Sequence, residues 1–436
     1  MAITAARARA KNVETRAAVE PTGPVKILVA SHSHPQLSKG GSEIAAFQLF
    51  TALQSRSGYE SWFLGCVRDP AKQKLGTTLS QPFSEREYLY SAGVFDWFKF
   101  ANQDPKFPGE FRELLKRLQP QIVHFHHYLN LGVEAFLLVR EVLPQARIIL
   151  TLHEFLAMCH NYGQMVTRQS RSLCHESSPM RCAGCFVDQE AADFFLRNRY
   201  IQRFFELVDH FIAPSHFLAE RYIAWGIEPR RMSIIENVIM PTTAEVRKPR
   251  HGRELLRIGF FGQISLLKGI NVLFETADML LERKMDHIVF EIHGDYRGQP
   301  AEFQEDFLKR MAKPRRNLGF NGPYDQQRVD GLMQSMDLIL VPSIWWENSP
   351  VVIQEAQRNR RPVICSDIGG MAEKVRDGVD GFHFPMGSAP ALAALLIRLA
   401  ESQTAISDVV TTMRMPELVD DVVERHLKLY ASGVTA

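Results

Sequence analysis

The chain has 436 residues, 45% of them hydrophobic and 23% charged, with 51 basic against 49 acidic side chains and a formal net charge of +2. That length exceeds one ordinary hydrophobic core, so two domains are expected. Balanced charge argues against a dedicated nucleic-acid binder, which carries a basic excess, and no apolar run approaches the roughly 20 residues that span a bilayer.

Residues 1–24 are rich in alanine and arginine and lack an apolar h-region, so they read as a disordered tail and not as a secretory signal. A cytoplasmic protein is expected. From Val25 the pattern alternates strand and helix through residues 25–240. "VKILVA" is a buried strand, and a loop holding Gly40-Gly41 leads into the helix "SEIAAFQLFTAL". "YESWFLG", "IVHFHH", "RIILTL", "HFIAPS" and "MSIIENV" read as further strands. The aromatic stretch from Pro82 to Phe100 is expected to be a helical insertion with a packed aromatic face. Residues 241–254, polar and charged, read as a linker. Alternation restarts over 255–412 with "LLRIGFFG", "IVFEIHG", "NLGFNG", "DLILVPS" and "RPVICSD". The last segment, 413–436, contains the amphipathic "ELVDDVVERHLKLY", expected to pack back as a closing helix. Two β/α halves imply two doubly wound domains facing a central cleft, with ligands held outside the carboxyl ends of the strands.

The loops at those ends carry the candidate chemistry. Lys268 stands beside Gly269 at the start of a helix, where an ammonium group and oriented N–H groups suit a diphosphate. An exposed lysine beside a turn glycine is the plainer alternative. Gly40-Gly41 lets backbone N–H groups approach a ligand, or forms a simple turn. His153 closes one strand, and His124, His126 and His127 close another; cleft lining is preferred there to metal binding. In "WWENSPVVIQEAQ", Glu347 and Glu355 are separated by seven residues. Ser349 is the expected N-cap of a helix with Pro350 at its first position, ending before Arg361-Pro362. Glu355 then falls between Val351 and Val352 on an apolar face, where a carboxylate needs a partner. A core lysine or arginine would serve, and so would a pair of ribose hydroxyls.

Cys66 and Cys365 sit in apolar strands and read as core thiols. Cys159, Cys174, Cys182 and Cys185 fall in one segment, with fourteen, seven and two residues between them. Four thiolates with a Cys-x-x-Cys end suit structural zinc, with His160 or His175 able to replace one thiol. A redox pair at Cys182 and Cys185, an iron–sulfur cluster or four unrelated thiols are the alternatives. Because the segment follows His153, it is expected to shape an acceptor pocket.

From "GGSE", "TLHEF", "APSHF", "IIENV", "FGQISLLKG" and "ENSPVVIQEA" through "DIGGMAEKVRDGVDGFHF", the chain resembles the family 4 glycosyltransferases of GT-B fold. The resemblance spans nearly everything from Val25 to Tyr430. It implies two Rossmann-like domains, N-terminal for the acceptor and C-terminal for a nucleotide sugar, with the last helix crossing back onto the first. It implies retaining transfer of a sugar from a nucleoside-diphosphate donor to a glycan, lipid-linked or small-molecule acceptor, with no metal required for catalysis. By match, Glu355 takes the ribose hydroxyls, Lys268 the diphosphate and Glu347 the hydroxyls of the sugar. Gly262, Gln263 and the backbone of Asn348, Ser349, Pro350 and Val351 meet the donor, Gly40 and Gly41 contact it from across the cleft, and His153 faces the sugar. Many members carry arginine where this chain has Gln263, so the diphosphate loses one cation, and Arg328 is a candidate replacement. Cell-envelope polysaccharide synthesis, with peripheral contact at the inner membrane surface for a lipid-linked acceptor, is the expected setting. A nucleotide-sugar epimerase of the same fold and a non-catalytic zinc-stabilised scaffold are the competing readings.

Overall fold

The computed structural model describes residues 23–38, 40–73, 77–242, 255–402 and 404–432. The expected tail up to residue 22 and most of the expected linker, residues 243–254, lie outside them. The chain separates into two compact units, Met1–Val238 with Glu417–Ala436, and Ile239–Pro416.

The first unit is built on strands β1 (Val25–Ala30), β2 (Tyr59–Val67), β3 (Leu79–Ser84), β4 (Glu87–Ser91), β7 (Ile122–Phe125), β8 (Arg147–Thr151), β9 (His210–Ala213) and β10 (Met232–Ile234); β5 (Phe95–Asp96) and β6 (Ala101–Asn102) form a separate hairpin. The sheet order is β10-β9-β8-β7-β1-β2-β4-β3, parallel except for the β3–β4 edge pair. β1 lies between β2 and β7, so the loops after β1 and β7 diverge there. Such a switch point opens a crevice at the carboxyl edge of the sheet.

The second unit carries β11 (Leu256–Phe261), β12 (Ile288–His293), β13 (Leu318–Gly322), β14 (Leu338–Val341), β15 (Val363–Ser366) and β16 (Gly381–Phe384). All are parallel, in the order β13-β12-β11-β14-β15-β16. Here the switch point falls between β11 and β14. The helix Ile270–Glu282 buries Ile270, Leu273, Phe274, Ala277 and Leu280 against this sheet, the face its period announces. Cys66 and Cys365 are fully buried in β2 and β15.

The stretch from Pro82 to Phe100 contains no helix, contrary to its expected reading. Tyr88, Leu89 and Tyr90 are buried in β4, and the chain then turns at Gly93 into the β5–β6 hairpin. Dense aromatic residues favour a strand packed on both faces as readily as a helix face, and pairing of β4 with β2 decides the outcome.

The closing helix, Val419–Ala431, returns to the first unit. Val422, Val423, Leu427 and Tyr430 join the core beneath the helix Gly41–Gln54. The Tyr430 hydroxyl meets His124 Nδ1 at 2.7 Å, while His124 Nε2 meets Thr151 Oγ1 at 2.7 Å. Burial drives the His124 pKa well below its usual value, so this buried ring is neutral and both nitrogens need partners. Tyr430→Phe would leave Nδ1 unpartnered. The expected loss is about 1–3 kcal/mol in urea unfolding, with the rest of the core unchanged.

Candidate active site

In the second unit, three loops meet at the switch point. β11 runs through Gly262, Gln263 and Ile264 to Lys268, and Gly269 caps the next helix with φ +77°. A Cβ on Gly269 would lie 1.8 Å from the Pro342 carbonyl oxygen, so only glycine lets this turn press against the end of β14. Ile344 N–H donates to the Leu267 carbonyl at 2.9 Å and ties the two loops together. From the third loop, Gly370 N–H donates to the Glu347 carbonyl at 2.7 Å, and a Cβ on Gly370 would lie 1.7 Å from the Asn348 carbonyl oxygen.

This arrangement brings Lys268 and Glu347 together. Lys268 Nζ donates to Glu347 Oε1 at 2.6 Å and lies 5.7 Å from the centroid of the Trp345 ring. Ser343 Oγ and Trp345 Nε1 donate to the same oxygen, each at 2.8 Å. Glu355 stands apart from this cluster of bonds, in the helix Val351–Arg358. Its carboxylate accepts from Gln326 Nε2, while Arg358 pairs with Asp330 at 2.5 Å. Among the described residues no lysine or arginine pairs with Glu355, so the core salt bridge is not formed. Burial pushes the Glu355 pKa up to about 7, against the smaller lowering effects of Gln326 and Arg358. The helix itself begins one residue later than its sequence suggests. Pro350 occupies the N-cap position. Gln263 is exposed on its loop, and Arg328 is exposed at the start of the helix Val329–Gln334.

The first unit gathers histidines at the carboxyl ends of β1, β7 and β8. His126 Nδ1 and His153 Nε2 lie 3.1 Å apart. His32 Nε2 approaches Glu43 Oε1 at 3.3 Å, and His127 Nε2 approaches Glu154 Oε1 at 3.5 Å. Glu43 sits in the first turn of the helix that begins at Gly41, with Gly40 in the N-cap position, and accepts from Ser38 and Ser42 at 2.9 Å each. Burial, reinforced by His32, lowers the His153 pKa to about 4, although Glu43 opposes it. Its imidazole is therefore neutral at pH 7. Burial also works to raise Glu43, but His32, the Glu43 backbone N–H and Ser42 outweigh it and hold that carboxyl at about 2. Desolvation pushes the half-buried Glu154 nearby up to about 8.

Two family models account for most of the chain: Glycosyltransferase Family 4 matches residues 39–242 and Glycosyl transferases group 1 matches residues 242–411. The chain belongs to the family 4 glycosyltransferases. Among its relatives is the amylovoran biosynthesis glycosyltransferase AmsK of Erwinia amylovora, 26% identical over 210 residues, 46% of this chain and 49% of that one. Another is a lipopolysaccharide 1,2-N-acetylglucosaminetransferase of Salmonella typhimurium, 26% identical over 204 residues, 44% and 53% of the two chains. The chain thus spans about half the length of these curated relatives. The solved structure of Anabaena Alr3699/HepE in complex with UDP and glucose superposes with a TM-score of 0.62 at 15% identity, over 94% of this chain and 100% of that one. The fold is GT-B.

In this family 4 glycosyltransferase the four-cysteine segment lines one cavity of about 380 Å³, together with His160 and His175. The donor types suit zinc. Among the described residues, however, no three His, Cys, Asp or Glu side chains are grouped closely enough to hold a metal ion. Cys174 Sγ lies 3.2 Å from the Glu176 carbonyl oxygen and Cys182 Sγ 3.6 Å from the Ser177 hydroxyl. Burial raises the Cys159 pKa to about 11, which keeps that thiol protonated. The loop that leads into the segment is fastened by Arg197, a fully buried side chain that donates to the carbonyls of Phe98, Leu156 and Ala157 at 2.6–2.7 Å.

Arg197, Gln326, Ser343, Trp345 and Gly370 are absent from the sequence-based candidates. Gly370 alone carried a signal, the Gly369-Gly370 pair after β15; the others are ordinary residues until the chain folds. The Glu355 geometry yields a stability prediction. The folded carboxyl holds its proton more tightly than an unfolded one, so its burial is neutral well below pH 4.5 and increasingly destabilising as pH rises through about 7. Glu355→Gln should flatten that part of the pH–stability curve. Urea unfolding of the ligand-free protein at pH 8 should show a gain of about 1–3 kcal/mol, with little difference at pH 4.5.

Proposed function

We propose that the chain moves a sugar, with retention of anomeric configuration, from a nucleoside-diphosphate sugar to a glycan, lipid-linked or small-molecule acceptor in cell-envelope polysaccharide synthesis. The observation that carries this reading is the contact of Lys268 with Glu347 at the switch point of the second sheet, with buried Glu355 on the helix that follows. A diphosphate leaving group develops negative charge as the glycosidic bond breaks. Lys268 can meet that charge where it grows, and this is the kind of interaction that lowers a barrier most. The N–H groups that open the helix Val351–Arg358 face no intrahelical acceptor and add to the same field.

Glu355 suits the ribose. A buried carboxyl with a pKa near 7 is poorly compensated in the free protein, and two hydroxyl donors would stabilise its ionised form. Glu347 suits the transferred sugar, because its carboxylate is held from behind by fixed donors. In the retaining reaction the departing phosphate oxygen removes the acceptor proton on the same face of the sugar, so Glu347 binds rather than attacks. In the first unit the neutral His153 imidazole offers a hydrogen bond without a charge. The HepE structure, which contains UDP and glucose, supports a nucleotide sugar as donor, and the names of AmsK and the Salmonella transferase support polysaccharide synthesis.

Among the described residues no helix is long and apolar enough to cross a membrane. The helix Ala191–Phe205 nevertheless exposes Phe195 at 54% and Leu196 at 60% on the face that also carries Arg199 and Arg203, a composition suited to an anionic lipid surface and a lipid-linked acceptor.

Incubation with a panel of nucleotide sugars, scored by release of the nucleoside diphosphate, tests the donor reading. Turnover of none of them, with and without membrane extract as acceptor, would leave the scaffold reading in its place. With the productive donor, Lys268→Ala should lower kcat by roughly 100-fold or more. Glu355→Gln should raise the donor KM about tenfold with a smaller change in kcat.

A further inference from the structure

We infer that Trp345 and Ser343 are positioning residues for the sugar-binding carboxylate, a role that rests on the donor reading above. Three donors converge on one oxygen of Glu347: the ammonium of Lys268 at 2.6 Å, the indole N–H of Trp345 at 2.8 Å and the hydroxyl of Ser343 at 2.8 Å. Oε2 receives none of these three bonds. A carboxylate oxygen has about two lone-pair directions, so a third donor is crowded there. Of the three, lysine is the one able to leave. Its side chain is 30% exposed and flexible, whereas Ser343 is fully buried at the end of β14 and Trp345 is a rigid ring two residues before the carboxylate.

The consequence is a division of labour within one cluster. In the ligand-free protein Lys268 rests on Glu347 and above the Trp345 ring. An incoming diphosphate, with more negative charge than one carboxylate, draws the ammonium away. Glu347 would then be a buried carboxylate that has lost its cation, a costly state. The two remaining bonds from Trp345 and Ser343 keep it compensated and immobile, so Oε2 stays aimed for the sugar hydroxyls while Lys268 serves the phosphates. Gly370 N–H holds the Glu347 backbone through its carbonyl at 2.7 Å, which fixes the pivot of the side chain.

The cluster therefore separates recognition of the sugar from recognition of the nucleotide, and the two can be read independently. Trp345→Phe keeps the ring beneath Lys268 and removes only the N–H; Ser343→Ala removes the other donor. Full-length protein is titrated calorimetrically with UDP and with UDP-glucose, or with GDP and GDP-mannose if the wild type takes those, and kcat and KM are measured with the sugar nucleotide. Each variant should bind the free nucleoside diphosphate within about twofold of wild type. Each should lose roughly five- to tenfold in sugar-nucleotide affinity and a similar factor in kcat. Ser343→Thr, which retains the hydroxyl, should recover most of the loss caused by Ser343→Ala.

Parallel loss of affinity for both ligands would show a general defect of the loop and overturn the inference. So would variants indistinguishable from wild type. A wild-type protein that binds no nucleoside diphosphate overturns the donor reading first, and this inference with it.

Discussion

Close approach of backbone to backbone governs the second unit. At Gly269 and at Gly370 a carbonyl oxygen of the β14 loop occupies the volume that any side chain would need. These two contacts press the loops after β11 and β15 onto the loop after β14. Without them Lys268 and Glu347 would belong to separate turns. With them, an ammonium and a carboxylate from residues 79 positions apart share one hydrogen bond. The parallel sheet supplies the rest, because its strand order opens a crevice where the connections after the paired strands β11 and β14 diverge.

Charge in this region is poorly compensated within the free fold. Glu355 has an amide for a partner where a stable core would have a cation, and its proton is correspondingly hard to remove. Glu347 has more donors than its oxygen comfortably accepts. His126 and His153, stacked on one another, are kept neutral first by burial and then by the imidazoles around them. Each of these is a local cost that a folded protein retains at a binding site and removes elsewhere.

Around the four-cysteine segment, a residue with no motif carries the main fastening. Cys182-x-x-Cys185 has the interval of a chelate, two of the four thiols lie beside neighbouring oxygens, and a buried arginine fastens the loop that leads into them. Arg197 lies on a helix well past the segment and carries no motif. Its guanidinium reaches three carbonyls from two different loops, a role that only the packed chain defines.

By itself the sequence determined the alternation of strands and helices, the two β/α halves, the core thiols, the amphipathic closing helix and the loops that hold Lys268, Glu347 and Glu355. These follow from periodicity, from glycines at strand ends and from motif spacing, all of which are properties of neighbouring residues. Tertiary structure decided the β4 strand where aromatics suggested a helix, the one-residue shift of Pro350 and the amide partner of Glu355. It alone placed Trp345 and Ser343 on Glu347 and Arg197 under the loop after His153. The physical reason is that a hydrogen bond's partner depends on where distant backbone segments come to rest, and no local pattern encodes that position.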